Sequence, residues 1–331
     1  MAQVGRRKFL LATGAFLAAP LARAQQQAGA REFTIGILEY GTRAEFSPTL
    51  ASFKEGLREG GFVEGQNLRI EYQYADNDYR KVNRLAEDLV RAKVQAIYAP
   101  TTWAVHGAKA ATSTIPIVFS GVNDPVSVKF VKSLARPGGN ITGVSTASAD
   151  LTAKRVQLMR ELFPSAGRLG IVYDEDAIKA CQIELKDVAG AAQQLGIDMR
   201  EFSYRERKDL QRVFESAQRV KVSAILVPTT LEAQRVGGEI VAQSSSTQIP
   251  TIHSGRAAVE AGGLMSYGPN VGWSSRRAGN YVARILNGTK PADLPVERPN
   301  TYELVINLKT ARTMGITIPQ LILLRADTVL D

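Results

Sequence analysis

The feature that most constrains the fold of this chain is a strand-and-turn sequence that occurs twice. Residues 96–102 read Ala-Ile-Tyr-Ala-Pro-Thr-Thr, and residues 224–230, 128 positions later, read Ala-Ile-Leu-Val-Pro-Thr-Thr. Two flanking segments also match in the same order: 36–40 with 170–174, and 115–121 with 249–255. Each run has apolar residues followed by small polar residues, which is typical of a strand buried on both faces and ending in a loop. The chain is therefore predicted to contain two copies of one parallel-sheet domain, whose ligand site lies at the carboxyl ends of the strands.

Strand and helix patterns alternate along the whole chain, as they do in folds with parallel sheets. Helices with one apolar face are predicted over 49–59, 79–92, 208–220 and 272–287. The predicted strands are 33–38, 68–74, 95–98, 117–119, 169–173, 197–202, 224–227, 250–252, 262–267 and 302–307. We predict an α/β fold with two Rossmann-like lobes, because right-handed crossovers leave few other topologies.

The chain length also indicates two lobes, because 331 residues exceed what one hydrophobic core usually supports. The predicted N-terminal lobe is 32–143 plus 268–298, and the predicted C-terminal lobe is 144–267 plus 299–331. Linker-like sequences occur at Gly138-Gly139-Asn140, at Gly262-Gly263 and between Pro291 and Pro299. Three crossings between the lobes would form a multi-strand hinge.

Residues 1–24 are predicted to be an export signal peptide. Arg6-Arg7-Lys8 is the positive region, Phe9 to Ala19 is an apolar region too short to span a bilayer, and Ala22-Arg23-Ala24 is the cleavage site. The paired arginines resemble a twin-arginine signal, and the general secretory route is the alternative. Removal of this segment takes away four basic residues and lowers the formal net charge from +9 to +5. We therefore expect a periplasmic protein.

Sequence motifs for catalysis are not found: the chain has no nucleophile elbow, Walker loop, Rossmann glycine fingerprint or metal-ligand spacing. With one Cys and two His, we expect no metal site, and we expect no cofactor. Basic residues alternate with acids, as in Arg205-Glu206-Arg207-Lys208-Asp209, which is typical of a solvated surface and not of a nucleic-acid interface. The sequence predicts a binding protein and no enzyme.

Several longer motifs are specific when they are taken together. In the first half they are Phe53–Leu57, Gly60–Asn67, Asp124-Pro125 and Leu134–Gly143, and in the second half they are Gly262–Gly268, Ala292–Glu297 and Leu304–Ala311. With these motifs the chain resembles the ABC transporter substrate-binding proteins of the tryptophan/tyrosine-binding type, over most of its length after the signal peptide. The resemblance implies the type 1 periplasmic-binding fold, in which two lobes close on a small solute and present it to a permease in the inner membrane. It leaves the identity of the solute open.

Short hydroxyl side chains at the predicted strand ends are candidates for binding a carboxylate. They are Thr101, Thr102 and Ser120 in the first lobe, and Thr229, Thr230 and Ser254 in the second. Free backbone N–H groups and the positive end of a helix favour an anion there, and simple capping of a helix is the alternative for each. Asp174 ends the strand that mirrors Tyr40, and we predict that it binds an ammonium group. Asp124, before Pro125, is more typical of a helix cap than of a ligand contact.

Aromatic side chains also occur at predicted strand ends or crossings: Tyr40, Trp103, Tyr173 and Tyr267. They would suit a ligand with a flat or apolar side chain, and packing within the lobes is the alternative. For Trp103 the two alternatives are stacking on the ligand and packing beneath its helix. For His253 they are a ligand contact and a position in the core. Thr42 and Asn123 complete the set of candidate ligand-binding residues.

These features predict a non-catalytic receptor for a small solute. An amino acid is the favoured ligand, and an aromatic or other apolar side chain is the favoured subclass. We expect a monomer that works with an ABC permease. The alternative is a periplasmic sensor subunit that passes its bound state to a membrane kinase, because such a subunit would have the same fold.

Overall fold

A computed structural model shows where these elements lie. It describes residues 32–146, 149–175, 178–229, 233, 235–299 and 302–331. The predicted signal peptide and the candidate site residue Thr230 lie outside the described residues.

The elements follow one another in the predicted alternation. The strands are β1 (Phe33–Glu39), β2 (Leu68–Tyr74), β3 (Ala96–Tyr98), β4 (Ile117–Val122), β5 (Ile141–Ser145), β6 (Arg168–Asp174), β7 (Asp198–Tyr204), β8 (Ile225–Leu226), β9 (Thr251–His253), β10 (Met265–Pro269), β11 (Tyr302–Asn307) and β12 (Thr328–Leu330). The helices are α1 (Arg43–Glu59), α2 (Tyr79–Arg91), α3 (Thr102–Ala111), α4 (Ala149–Leu162), α5 (Ile178–Gln194), α6 (Asp209–Arg219), α7 (Gly237–Thr247), α8 (Arg256–Glu260), α9 (Val271–Leu286), α10 (Leu308–Thr313) and α11 (Gln320–Leu323).

The first sheet has five parallel strands in the order β2-β1-β3-β4-β5. Helices α2 and α3 cover one face, in which Phe119 is fully buried, and α1 and α9 cover the other, in which Phe53 is fully buried. Helices α1 and α9 pack so closely that a Cβ on Gly56 would lie 1.9 Å from the carbonyl oxygen of Arg276. Because α9 comes late in the chain, a segment that returns from the second lobe completes the first.

The second sheet has seven strands in the order β12-β11-β10-β9-β8-β6-β7. Only the pair of β10 and β11 is antiparallel among its described strand pairs. Met159 of α4 and Val188 of α5 are buried on one face, and Phe214 of α6 and Ile240 of α7 are buried on the other. Helices therefore cover both faces of each sheet, which confirms the predicted α/β fold with two lobes.

The lobes are joined where β5 leads to α4, where β10 leads to α9, and where the chain runs from the 3-10 turn Pro291–Asp293 to β11. The first and third crossings lie side by side, because Ser145 N donates to the Glu297 carbonyl oxygen (2.8 Å) and Glu297 N donates to that of Gly143 (3.1 Å). Strand β5 pairs in the first sheet through Ser145, so this crossing begins just after the bound that we set at residue 143.

One helix boundary and two strands are among the differences from the sequence prediction. Helix α1 begins at Arg43 and not near residue 49, because Thr42 and Glu45 form a capping box ahead of the apolar face. Strand β5 was not predicted, since Thr142 and Gly143 interrupt its apolar run. The hydroxyl of Thr142 is nevertheless satisfied when buried, because it donates to the Leu294 carbonyl oxygen at 2.6 Å. Strand β12 has three residues, too few for a periodic pattern.

Candidate ligand-binding site

The loops that follow β1 and β2 are joined at the carboxyl edge of the first sheet. Asn77 N donates to the Tyr40 carbonyl oxygen (2.8 Å), and the Tyr40 hydroxyl donates to the Asn77 carbonyl oxygen (3.1 Å). Asp76 and Asn77 have left-handed backbone conformations, with φ of 52° and 64°. Asp and Asn tolerate this conformation better than most residues. The two loops thus form one fixed edge, in which Tyr40 is buried.

Three side-chain oxygens surround Gly41 on this edge. A Cβ on Gly41 would lie 3.0 Å from Glu45 Oε2, 3.7 Å from Glu39 Oε1 and 3.9 Å from Asn77 Oδ1. Gly41 N donates to Glu39 Oε1 (3.0 Å), and Asn77 Nδ2 donates to Glu45 Oε2 (3.2 Å). Asn77 Oδ1 is buried and has no donor among the described residues. The surroundings of Gly41 are therefore rich in acceptors and short of donors.

Burial changes the charge state of Glu39, whose side chain has little access to solvent. Desolvation raises the pKa of Glu39 to about 7, while hydrogen bonds from the backbone of Gly41 and Tyr40 oppose the rise and the charge of Glu45 adds to it. The carboxyl of Glu39 therefore titrates near neutral pH. The sequence did not single out Glu39, because it ends an apolar strand and looks like the first solvated residue after it.

Residues of both lobes act on the charge state of Glu45. Desolvation acts to raise the pKa of Glu45, but hydrogen bonds from Thr42 and Asn77 and the positive charge of Arg235 hold that pKa below its ordinary value. Arg235 belongs to the second lobe and lies just before α7. Its Nε atom is buried and has no acceptor among the described residues. A donor of the second lobe thus lies close to the acceptors of the first.

Aromatic side chains occupy the same edge of the first lobe. Trp103, in the first turn of α3, is 45% exposed, and its ring stacks on Tyr40 with centroids 6.4 Å apart. Tyr79, in the first turn of α2, stacks on Trp103 at 5.7 Å and is itself exposed. Packing of Trp103 beneath its helix is therefore the wrong alternative. The indole lies on the surface of the lobe and packs with two tyrosines.

The hydroxyl candidates of the first lobe differ in their surroundings. Thr101 Oγ1 accepts from Ala104 N (3.3 Å) and caps α3, so the capping alternative describes it. Ser120 is buried, and its Oγ lies 2.7 Å from the Tyr98 hydroxyl inside the lobe. Thr102, the first residue of α3, is partly buried, and its contact with a carboxylate stays a prediction.

The other polar candidates of the first lobe are also bonded within it. Thr42 caps α1 through the capping box. Asn123 Oδ1 accepts from the Thr146 hydroxyl beside the first crossing. Asp124 Oδ1 accepts from Ser127 N (3.0 Å) and caps the following turn, which agrees with the interpretation that its sequence favoured. These residues shape the edge, and a direct ligand contact by any of them stays a prediction.

Tyr173 and Asp174 lie at the end of β6, at the carboxyl edge of the second sheet. Both are partly buried, and the Tyr173 hydroxyl donates to Glu201 Oε2 of the neighbouring strand β7 at 3.4 Å. The structure brings Asp174 to the predicted sheet edge. Its contact with a ligand ammonium group stays a prediction.

The remaining candidates of the second lobe are packed residues. His253 Nε2 lies 2.9 Å from the Thr251 hydroxyl, and burial first and the charge of Arg155 second lower the pKa of His253 to about 3. Ser254 is buried, and Tyr267 packs against Tyr302 with ring centroids 6.1 Å apart. For His253 the structure supports the core position, in which the imidazole is uncharged at neutral pH.

Sequence reasoning missed a buried polar network that holds the end of β8. Arg155 of α4 is fully buried, and its Nη2 donates to Glu184 Oε1 of α5 (2.6 Å) and to the Thr229 hydroxyl (3.0 Å). Thr229 N donates to Glu184 Oε2 (2.8 Å). The burial of Arg155 could have been predicted from its spacing, because it falls four residues before Met159, on the apolar face of α4. A charged residue on such a face is normally buried only with a partner.

The chain has two lobes, each with a sheet covered by helices on both faces, and three crossings join them. This is the type 1 periplasmic-binding fold. Residues 45–330 match the family model described as ABC transporter substrate binding protein, and the chain belongs to this family. Membership in a family of substrate-binding proteins confirms the prediction that the chain is no enzyme.

Individual relatives agree with the family. The chain is 27% identical over 285 residues to the tyrosine-binding protein of Clostridioides difficile, which covers 86% of this chain and 81% of the relative. It is similar to the crystal structure of an ABC domain in complex with L-Trp from Streptococcus pneumoniae, with a TM-score of 0.81, 27% identity, and 90% and 100% of the two chains covered. It is also similar to the ligand-free, open structure of a substrate-binding protein with adhesive properties from Clostridium difficile, with a TM-score of 0.70, 26% identity, and 87% and 96% covered.

Membrane-spanning helices and metal-binding clusters are both absent from the described residues. None of their helices is both long and apolar enough to cross a membrane. In the same part of the chain, no three His, Cys, Asp or Glu side chains are grouped in a way that could hold a metal ion.

Proposed function

We propose that this chain is the periplasmic receptor of an ABC importer and that it binds an amino acid with an aromatic side chain. The observation that carries the proposal is the indole of Trp103, which is 45% exposed and packs with Tyr40 and Tyr79 at the carboxyl edge of the first sheet. A flat ligand could stack on it at little cost, because the supporting rings are already in place. The tyrosine-binding relative and the complex with L-Trp support the same ligand class.

The ligand would be enclosed by closure of the two lobes about the three crossings. The proposed lobes are 32–143 plus 268–298 and 144–267 plus 299–331, with the first crossing beginning after Ser145 of β5. The packing of α9 on α1 and the pairing of β11 in the second sheet support this division. The charge of Arg235 acting on Glu45 across the cleft supports a closed arrangement. The higher TM-score to the complex with L-Trp (0.81) than to the open relative (0.70) supports it too.

Export and the membrane partner complete the proposal. The basic and apolar segments of residues 1–24 support export to the periplasm. The family supports an ABC permease as the partner that receives the solute. We propose that the receptor acts as a monomer.

Native mass spectrometry of protein purified from the periplasm, without added amino acids, tests this function. We expect a bound fraction with the added mass of tyrosine or tryptophan, which exchanges with the isotopically labelled amino acid. Calorimetry with L-leucine is the control for general amino-acid binding, and we expect weaker binding of L-leucine. A bound compound that is not an amino acid, together with no heat from L-tyrosine or L-tryptophan, would exclude the proposal.

A further inference from the structure

The first-lobe edge is rich in acceptors, of which Glu45 Oε2 already accepts from Thr42 N and Asn77 Nδ2 while Asn77 Oδ1 has no donor among the described residues. Glu39 and Glu45 bring two carboxylates to Gly41, and Asn77 Oδ1 is buried there without a donor. The orientation of the Asn77 amide is fixed by its neighbours, because exchange of its N and O atoms would place Oδ1 against the Glu45 carboxylate in place of the donor Nδ2. A ligand group with several N–H donors would satisfy these oxygens.

At the edge of the second lobe, buried N–H donors lack acceptors. Arg235 Nε is buried without an acceptor, as are Nε and Nη1 of the fully buried Arg155 among the described residues. Arg155 is already paired with Glu184, so its charge is compensated within the lobe. Arg235 has no ion pair within the described residues and is partly exposed. An anionic group would supply the acceptors that Arg235 lacks.

These two deficits are opposite in kind, which matters because an α-amino acid carries its ammonium and carboxylate groups on the same carbon. The charge of Arg235 is near enough to Glu45 to act on its ionisation. Tyr40, which directly follows Glu39, stacks on Trp103, so the aromatic surface is continuous with the acceptor group. The arrangement matches the three parts of an aromatic amino acid.

We propose that Glu39, Glu45 and Asn77 of the first lobe bind the ammonium group of the ligand and that Arg235 of the second lobe binds its carboxylate. This assignment rests on the proposed function, since it requires an amino-acid ligand. It reverses the hypothesis from the sequence, in which Thr101, Thr102 and Ser120 bind the carboxylate and Asp174 binds the ammonium group. The hydroxyls of Thr101 and Ser120 are engaged within the lobe. Each lobe then holds one charge of the same ligand, which couples binding to closure.

Ligands that lack one charge test the assignment. Dissociation constants are measured by calorimetry for L-tyrosine, for tyramine, which has no carboxylate, and for 3-(4-hydroxyphenyl)propanoate, which has no ammonium group. We expect Glu39→Gln and Glu45→Gln to weaken L-tyrosine and tyramine at least about 30-fold and to leave the propanoate unchanged, because truncation of a buried charge partner is costly. We expect Arg235→Gln to weaken L-tyrosine and the propanoate by a similar factor and to leave tyramine unchanged.

The variants are chosen so that misfolding does not imitate these results. Glutamine at position 45 is compatible with the capping box of α1. Glu55→Gln and Arg219→Gln remove exposed charges from the two lobes and should change each dissociation constant less than twofold. Thermal melting of every variant reports whether it is folded.

Two outcomes would overturn the assignment and leave the proposed function standing. One is L-tyrosine affinity within threefold of wild type in folded Glu45→Gln or folded Arg235→Gln. The other is the reversed pattern, in which Arg235→Gln weakens tyramine and Glu45→Gln weakens the propanoate. Failure of the wild-type protein to bind either L-tyrosine or L-tryptophan would overturn the proposed function, and this assignment with it.

Discussion

Arg155 and Glu184 form an ion pair inside the second lobe, with Nη2 of Arg155 2.6 Å from Oε1 of Glu184 and side chains that are 1% and 9% exposed. The same carboxylate accepts from the backbone N–H of Thr229, the residue that repeats Thr101 of the first lobe. The pair therefore holds the backbone of the loop that follows β8 in place. It stabilises the second-lobe edge without contacting solvent.

Removal of the negative charge of this pair should strongly destabilise the protein. Glu184→Gln leaves Arg155 buried and uncompensated, which should lower the free energy of unfolding by about 3–5 kcal/mol. Urea denaturation measures the change. Asp198→Asn is the control, because it breaks exposed pairs with Arg168 and Arg200 and should change the free energy of unfolding far less. Equal losses in the two variants would show that the buried pair is not a main contributor to stability.

Glu39 and His253 should affect the pH dependence of stability in opposite directions. The pKa of His253 is about 3 in the folded protein and near 6.5 when unfolded, so the unfolded state binds the extra proton in this window and stability falls as the pH falls. The pKa of Glu39 is about 7 in the folded protein and near 4.5 when unfolded, so the folded state binds the extra proton and stability rises as the pH falls. The two contributions oppose each other where the windows overlap.

The contributions of Glu39 and His253 to the pH dependence of stability partly cancel in the wild type, and single substitutions should separate them. Between pH 6.5 and pH 4.5, Glu39→Gln should lose stability more steeply than wild type as the pH falls, by up to about 1.4 kcal/mol per pH unit. His253→Gln should lose stability less steeply than wild type, or gain it. Urea midpoints at several pH values measure both slopes. Slopes parallel to wild type in both variants would contradict the burial of these groups.

Because Trp103 is exposed, its substitution should affect ligand binding more than the stability of the fold. Trp103→Ala should weaken L-tyrosine or L-tryptophan binding about tenfold, because a stacked ring contributes about 0.5–1.5 kcal/mol beyond the area that it buries. The melting temperature should change little, since the indole is 45% exposed. Loss of several degrees with unchanged affinity of the folded protein would contradict a ligand contact.

Fluorescence gives an independent test, because Trp103 and Trp273 are the only tryptophans of the chain. Addition of L-tyrosine should shift the emission of wild type and of Trp273→Phe. The shift should be absent in Trp103→Phe. A shift that persists in Trp103→Phe would place the ligand elsewhere.

The fold could be predicted from the sequence because its strands are buried on both faces. Residues 96–102 and 224–230 are uninterrupted apolar runs with polar ends, so their period, position and repetition are all visible in the chain. Strand β5 was missed because Gly143 and Thr142 carry no apolar signal. Their burial depends on the Leu294 carbonyl oxygen, 152 positions away.

The site was predictable only in part, since capping and binding use the same residue types. Trp103 and Tyr40 were placed at the correct sheet edge, but Thr101 and Asp124 are bonded to nearby backbone N–H groups. Glu39 and Arg155 are charged residues that tertiary packing buries. Neither burial nor the partners of a charge can be inferred from local spacing alone.

Small-angle scattering during ligand addition tests the central claim most directly. The claim is that two lobes close on an aromatic amino acid about three crossings. With bound ligand first removed, saturation with L-tyrosine or L-tryptophan should decrease the radius of gyration, and at about 100 times the dissociation constant it should add about 2.7 kcal/mol of stability. An unchanged radius of gyration at saturation, with binding confirmed by calorimetry, would contradict a receptor that closes on its ligand.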